Sequence, residues 1–147
     1  MRSLILFITF FPVLAYAALG DHRLAIESEQ KQFSLNSHES KQQINFTVHI
    51  FSKPGLTIKE YEDKNGRIFA VTWLGIAHPD LQKILGEYLS EFQDAQLKIK
   101  LPHGQRRSGK ISTDNIILER ASTAGQVRGR AYIIKALPEN VSLHDID

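Results

Sequence analysis

Two dipeptides, Pro54-Gly55 and Asn65-Gly66, constrain this chain more than anything else in it. Proline presets φ and glycine accepts φ > 0, so Pro-Gly favours a type II turn. Asn-Gly between strand-like runs is a strong short-range hairpin signal. The runs around them, 46–51, 56–62 and 67–74, are rich in β-branched and aromatic residues. Three strands joined by two tight turns make an antiparallel meander. In the third run, alternation places Phe69, Val71 and Trp73 on one face and Ile68, Ala70 and Leu74 on the other. Both sets are largely apolar, which predicts a central strand or one covered on both sides.

An amphipathic helix follows. Leu81, Ile84, Leu85, Tyr88, Leu89 and Phe92 recur at helical spacing and form one apolar stripe. Pro79 suits the first helical position, and Asp80 the positive end of the helix dipole. Gly86 weakens a helix interior, which predicts close approach of the helix to the sheet there. Runs 115–120 and 127–134 read as two further strands, turned at Ser122-Thr123-Ala124-Gly125. Residues 18–43 and 98–114 read as loop-rich, with one short helix from Asp21 towards Phe33. The last nine residues form a polar tail in which Val141, Leu143 and Ile146 offer docking points. The expected fold is α+β. A mostly antiparallel sheet of about five strands, a three-strand meander and then two, is packed by one long amphipathic helix.

Residues 1–17 have the pattern of an export leader. Arg2 supplies the positive start, residues 4–14 are uncharged, and Ala15 and Ala17 are small where a leader peptidase reads. Cleavage is expected between Ala17 and Ala18. The alternative is a retained anchor, but Pro12 interrupts the run, and it falls short of the roughly 18 residues of a spanning helix. Residues 18–147 then form a single domain without a transmembrane segment. Arg2 is the only charge removed, so cations exceed carboxylates by one and no general attraction to nucleic acid or an anionic membrane follows. The chain has no cysteine. Disulfides, thiol nucleophiles and cysteine-ligated metals are therefore excluded.

Several segments resemble a known family: Val48-His49, the run from Gly55 to Tyr61, the run from Asn65 to Gly75, Pro79-Asp80-Leu81 and Leu85-Gly86-Glu87-Tyr88. Near the end, Arg128-Gly129-Arg130-Ala131-Tyr132, Leu137-Pro138, Asn140-Val141 and Asp145-Ile146 continue the likeness, and Ala18-Leu19-Gly20 opens it. The chain is similar to the bacterial "domain of unknown function 2844" family of exported proteins. Asp21 stands where a second glycine is common, and Lys59 replaces a more usual arginine. The resemblance implies a bacterial origin and export. It implies no reaction and carries over no catalytic residue.

Candidate site residues are few. Glu60 shares parity with Leu56 and Ile58, so its carboxylate faces the core and needs a partner or a raised pKa. An ion pair with Arg67, Arg128 or Arg130 is the leading reading. A solvated Glu60 and a catalytic one are the others. Lys98, Lys100, His103, Arg106, Arg107 and Lys110 form the one basic run, either a solvated loop or a contact for an anionic partner. His78, Pro79 and Asp80 read as a plain helix start, the alternative being His78 as a cap or pH-sensitive contact. The six histidines have no metal-ligand spacing. Trp73, Phe69 and Tyr88 are core aromatics or the wall of an apolar groove. No nucleophile elbow, P-loop or dinucleotide fingerprint appears, and no cofactor is expected. The leading expectation is a non-enzymatic periplasmic or secreted domain that binds a cell-envelope protein or polymer. The alternatives are a small periplasmic hydrolase using Glu60 and Asp80, and a purely structural assembly factor.

Overall fold

The computed structural model describes residues 18–21, 37–99 and 108–146. Seven strands run in chain order: β1 (Ser37–Gln42), β2 (Phe46–Lys53), β3 (Leu56–Asp63), β4 (Ile68–Gly75), β5 (Ser108–Ser112), β6 (Ile116–Thr123) and β7 (Gln126–Ile133). They form one antiparallel sheet in the order β1-β2-β3-β4-β7-β6-β5. The meander β2-β3-β4 and the hairpin β6-β7 stand as expected. The sheet has seven strands rather than five, because each end carries one more. β1 and β5 fall in stretches that read as loops. Their residues are mostly polar and exposed, as edge strands tend to be, so no hydrophobic alternation marks them.

The stripe after Pro79 is helical but not one continuous helix. It comprises α1 (Leu81–Leu85), a 3₁₀ turn (Gly86–Tyr88) and α2 (Leu89–Lys98). Asp80 is the N-cap, one place earlier than a first-turn position, and its Oδ1 accepts from the Gln82 N–H at 3.0 Å. Gly86 adopts φ +49°, a conformation that breaks the regular helix. Its close approach is to Ala18, not to the sheet: a Cβ at residue 86 would overlap the Ala18 side chain. Ile84, Leu85 and Phe92 are buried, contributing about 2 kcal/mol apiece before entropy is subtracted. Glu91 ties α2 to the β5–β6 turn by accepting from Asn115 Nδ2 at 3.0 Å.

The two faces of the sheet have separate cores. Under the helical segment lie Phe51, Ile58, Ile68, Val71, Trp73, Leu118 and Ala131, with Leu19 among them. On the opposite face Val48, Tyr61, Phe69, Ala70 and Tyr132 pack against Val141 and Ile146 of the C-terminal segment, which docks as expected. β4 is therefore covered on both sides. A register shift between Tyr61 and Glu62 changes the expected alternation. It sends Phe69 to the face of Ala70 and puts Ile68 with Val71 and Trp73. The short helix expected after Asp21 lies outside the described residues.

Candidate functional site

Strand register assembles a polar row on the helix side of the sheet. Ser40, His49 and Glu60 stand directly opposite one another on β1, β2 and β3. Side chains of such partners share a face. His38 and Glu62 flank the row, two residues along β1 and β3. His49 is 3% exposed, and Glu60 and Glu62 are each 5% exposed. His49 Nε2 lies 2.6 Å from Glu62 Oε2, and its Nδ1 lies 2.9 Å from the Ser40 hydroxyl. His38 Nε2 is 3.3 Å from the same hydroxyl, while its ring stacks on Phe51 at 4.7 Å. One direction of donation satisfies all three contacts. The His38 N–H donates to Ser40 Oγ, the hydroxyl donates to His49 Nδ1, and the His49 Nε2–H donates to the Glu62 carboxylate.

Glu60 stands apart within this row. Its Oε2 is buried with no hydrogen-bond partner among the described residues. Burial pushes its carboxyl up to about 8, so at neutral pH it is held largely as the neutral acid. His38 is held below the usual imidazole value, first by burial and then by the neighbouring His49.

The expected ion pair of Glu60 with Arg67, Arg128 or Arg130 is replaced by other contacts. Arg130 sits one position and Arg128 three positions from Ala131 in the Glu60–Val71–Ala131 row, so strand alternation turns both to the opposite face. There Arg130 Nε donates to Glu119 Oε2 at 2.7 Å and its Nη1 to the Leu143 carbonyl at 3.0 Å. Arg67 donates to the Tyr88 hydroxyl at 3.4 Å. Glu60 and Asp80 do not form a matched pair either. Glu60 is enclosed, whereas Asp80 is exposed and engaged in capping.

On the face of Arg128 and Arg130, next to the C-terminal segment, the sheet carries an open groove of about 620 Å³. Thr57, Lys59, Thr72, Leu74, Ala121 and Ile146 line it together with Glu119, Arg120, Arg128 and Arg130. Among the described residues, Lys59, Arg128 and Arg130 therefore share the groove face with one carboxylate, Glu119, while alternation turns the Arg120 side chain to the other face. Burial pulls the Glu119 carboxyl up, but hydrogen bonds and charge from Arg130 and Lys110 outweigh it and hold the group below the usual carboxylate value. Among the described residues Arg128 has no carboxylate partner. Leu74 is half exposed beside it.

The basic run divides. Lys110 is on β5, with Nζ 3.1 Å from Glu119 Oε1, and Lys98 is exposed in the last turn of α2. Lys100, His103, Arg106 and Arg107 lie outside the described residues, as does Ala17. Ala18 is buried. His78 precedes the helix, but the cap is Asp80. Trp73 is buried in the core and also lines the groove, while Phe69 belongs to the opposite core. Among the described residues no group of three or more His, Cys, Asp or Glu is placed to hold a metal. No described helix is long and apolar enough to cross a membrane.

No curated protein and no solved structure matches the chain. One family model does, and it spans residues 15–146 with both faces of the sheet, the helical segment and the docked C-terminus. The chain belongs to that family, the proteins of unknown function designated DUF2844.

Proposed function

We propose that this protein is an exported, non-enzymatic domain that binds an anionic, partly apolar component of the cell envelope in the groove beside Arg128. The leader-like first residues support export. The groove supports binding: its volume suits a small ligand, and charged and hydroxyl-bearing residues stand beside the apolar Leu74, Ala121 and Ile146. Leu74, Ala121 and Ile146 offer apolar contact, while Arg128 offers a guanidinium to a phosphate or carboxylate. Binding is read by calorimetric titration, because the Trp73 indole packs on the other, helix side of the sheet.

The test titrates the protein with dodecyl phosphate and, separately, with the uncharged dodecyl maltoside. The phosphate amphiphile is expected to bind with a saturable heat. Arg128→Ala is expected to weaken that response about tenfold, and added salt to weaken it further. Equal responses to the two amphiphiles, or an unchanged response in Arg128→Ala, would reject the groove as the binding site.

One observation favours a second reading. Ser40, His49 and Glu62 stand in the order hydroxyl, imidazole, carboxylate that acyl hydrolases use. Ser40 is the exposed end of that order. Covalent labelling of Ser40 by a fluorophosphonate, lost in His49→Gln, would move the function to this side of the sheet. An unlabelled Ser40 leaves the row a structural network.

A further inference from the structure

We propose that Ala18 is the first residue of the working protein, and that its α-ammonium pairs with the Asp21 carboxylate in a receptor the fold builds for its own terminus. This goes beyond the groove and rests only on the export part of the reading above.

Residues 18–20 pack into the fold, with Asp21 exposed at the edge of the segment. Ala18 is 2% exposed and Leu19 1%. The Leu19 N–H donates to the Ile84 carbonyl at 2.9 Å, which joins the segment to α1. The Gly20 N–H donates to the Ile68 carbonyl at 2.8 Å, and the Ile68 N–H returns a bond to the Asp21 carbonyl at 3.0 Å. The segment thus pairs with the start of β4. It closes into a turn through Asp21 N–H to the Ala18 carbonyl at 2.8 Å, with Gly20 at φ +96° in the third position, as a type II turn requires. The missing side chain of Gly86 makes the space that Ala18 fills.

The electrostatics of this receptor suit a chain end. The Ala18 nitrogen donates to Asp21 Oδ2 at 3.2 Å. Glu87 Oε1 comes so near Gly20 that a Cβ there would meet it at 3.0 Å. Two carboxylates therefore lie beside the tetrapeptide, with the Arg67 guanidinium on the neighbouring Tyr88 hydroxyl. With residue 17 attached, the Ala18 nitrogen is a neutral amide. Hydrolysis by a leader peptidase breaks the C–N bond between Ala17 and Ala18. Water gives its oxygen to the Ala17 acyl carbon, and the nitrogen takes up protons to become an ammonium. The contact with Asp21 then becomes a charge-assisted bond, roughly twice as strong as a neutral one.

The experiment expresses the full chain with its own leader in an exporting bacterium and measures the intact mass of the product. The expected product begins at Ala18. A product that keeps Met1, or starts at another residue, would overturn the proposal. The α-amine of that product is then reductively methylated near neutral pH, folded and in about 6 M urea. Folded protein is expected to react at least about tenfold more slowly, since a paired, enclosed amine is available only on local opening. Equal rates in the two conditions would overturn the pairing, whether or not an Asp21→Asn variant folds. Full protection retained in a folded Asp21→Asn variant would overturn it too. Failure of dodecyl phosphate to bind leaves this result untouched, whereas a cytosolic product beginning at Met1 undoes both.

Discussion

The contacts His49–Glu62 and Arg130–Glu119 have nearly the same length, 2.6 and 2.7 Å, and lie on opposite faces of one sheet. Their surroundings differ. The first pair has side chains only 4% and 7% exposed, the second 25% and 27%. Solvent screens the second pair and readily replaces either partner. It does neither for the first, where loss of one group strands the other in the core. Burial, rather than contact length, decides what such a pair is worth. The helix side of the sheet therefore holds polar groups whose removal costs stability, and the groove side holds charges available to a ligand.

The sharpest way to break this comparison is His49→Ala. It removes the partner of both Ser40 and Glu62 and is expected to cost about 4 kcal/mol in urea unfolding. A loss below about 1 kcal/mol would place the pair in the same class as Arg130–Glu119. The next effect belongs to Glu60. Its folded-state value is raised from 4.5 to about 8 by burial, so the folded protein binds more protons than the unfolded chain between those limits. Stability is then greatest below the unfolded value and falls as pH rises through the folded one. From about pH 5.5 to 7.5 the fall attributable to this group is about 3 kcal/mol, and Glu60→Gln is expected to flatten it. Identical pH slopes in the two proteins would contradict an enclosed, protonated Glu60. The smallest effect is expected at Glu119→Gln, about 1 kcal/mol or less and fading with added salt. A larger, salt-insensitive loss would mean that the groove-side pair supports the fold as the buried one does.

The sequence shows the middle of the sheet far better than its sites. Pro54-Gly55 and Asn65-Gly66 announce their turns locally, and the stripe from Leu81 to Phe92 announces a covered sheet face. The polar row is invisible because His49 meets Glu62 and Ser40 only through the registers of β1-β2 and β2-β3. Parity along β3 already marked Glu60 as inward, and the same count on Glu62 and His49 would have found their shared face. The partner chosen for Glu60 was wrong for a related reason. Arg128 and Arg130 are on β7, and which face they take depends on how β7 joins β4. Strict alternation puts Phe69 on the wrong face, because it cannot foresee a one-residue bulge. Gly86 was recognised as a close-contact position, but its neighbour Ala18 is far away in sequence.

The strand order has a kinetic consequence. Strands β1 to β4 are each beside their chain neighbours, as are β5 to β7, and the two groups meet only where β4 pairs with β7. Each group gains its contacts over short chain distances, which form quickly. Joining them closes a loop of about fifty residues between Gly75 and Val127, with a larger entropy cost than any hairpin here. Formation of the seam from Ala70 to Gly75 is thus expected to be the late, rate-setting event of assembly. Substitutions there should slow refolding more than equally destabilising ones in the outer hairpins.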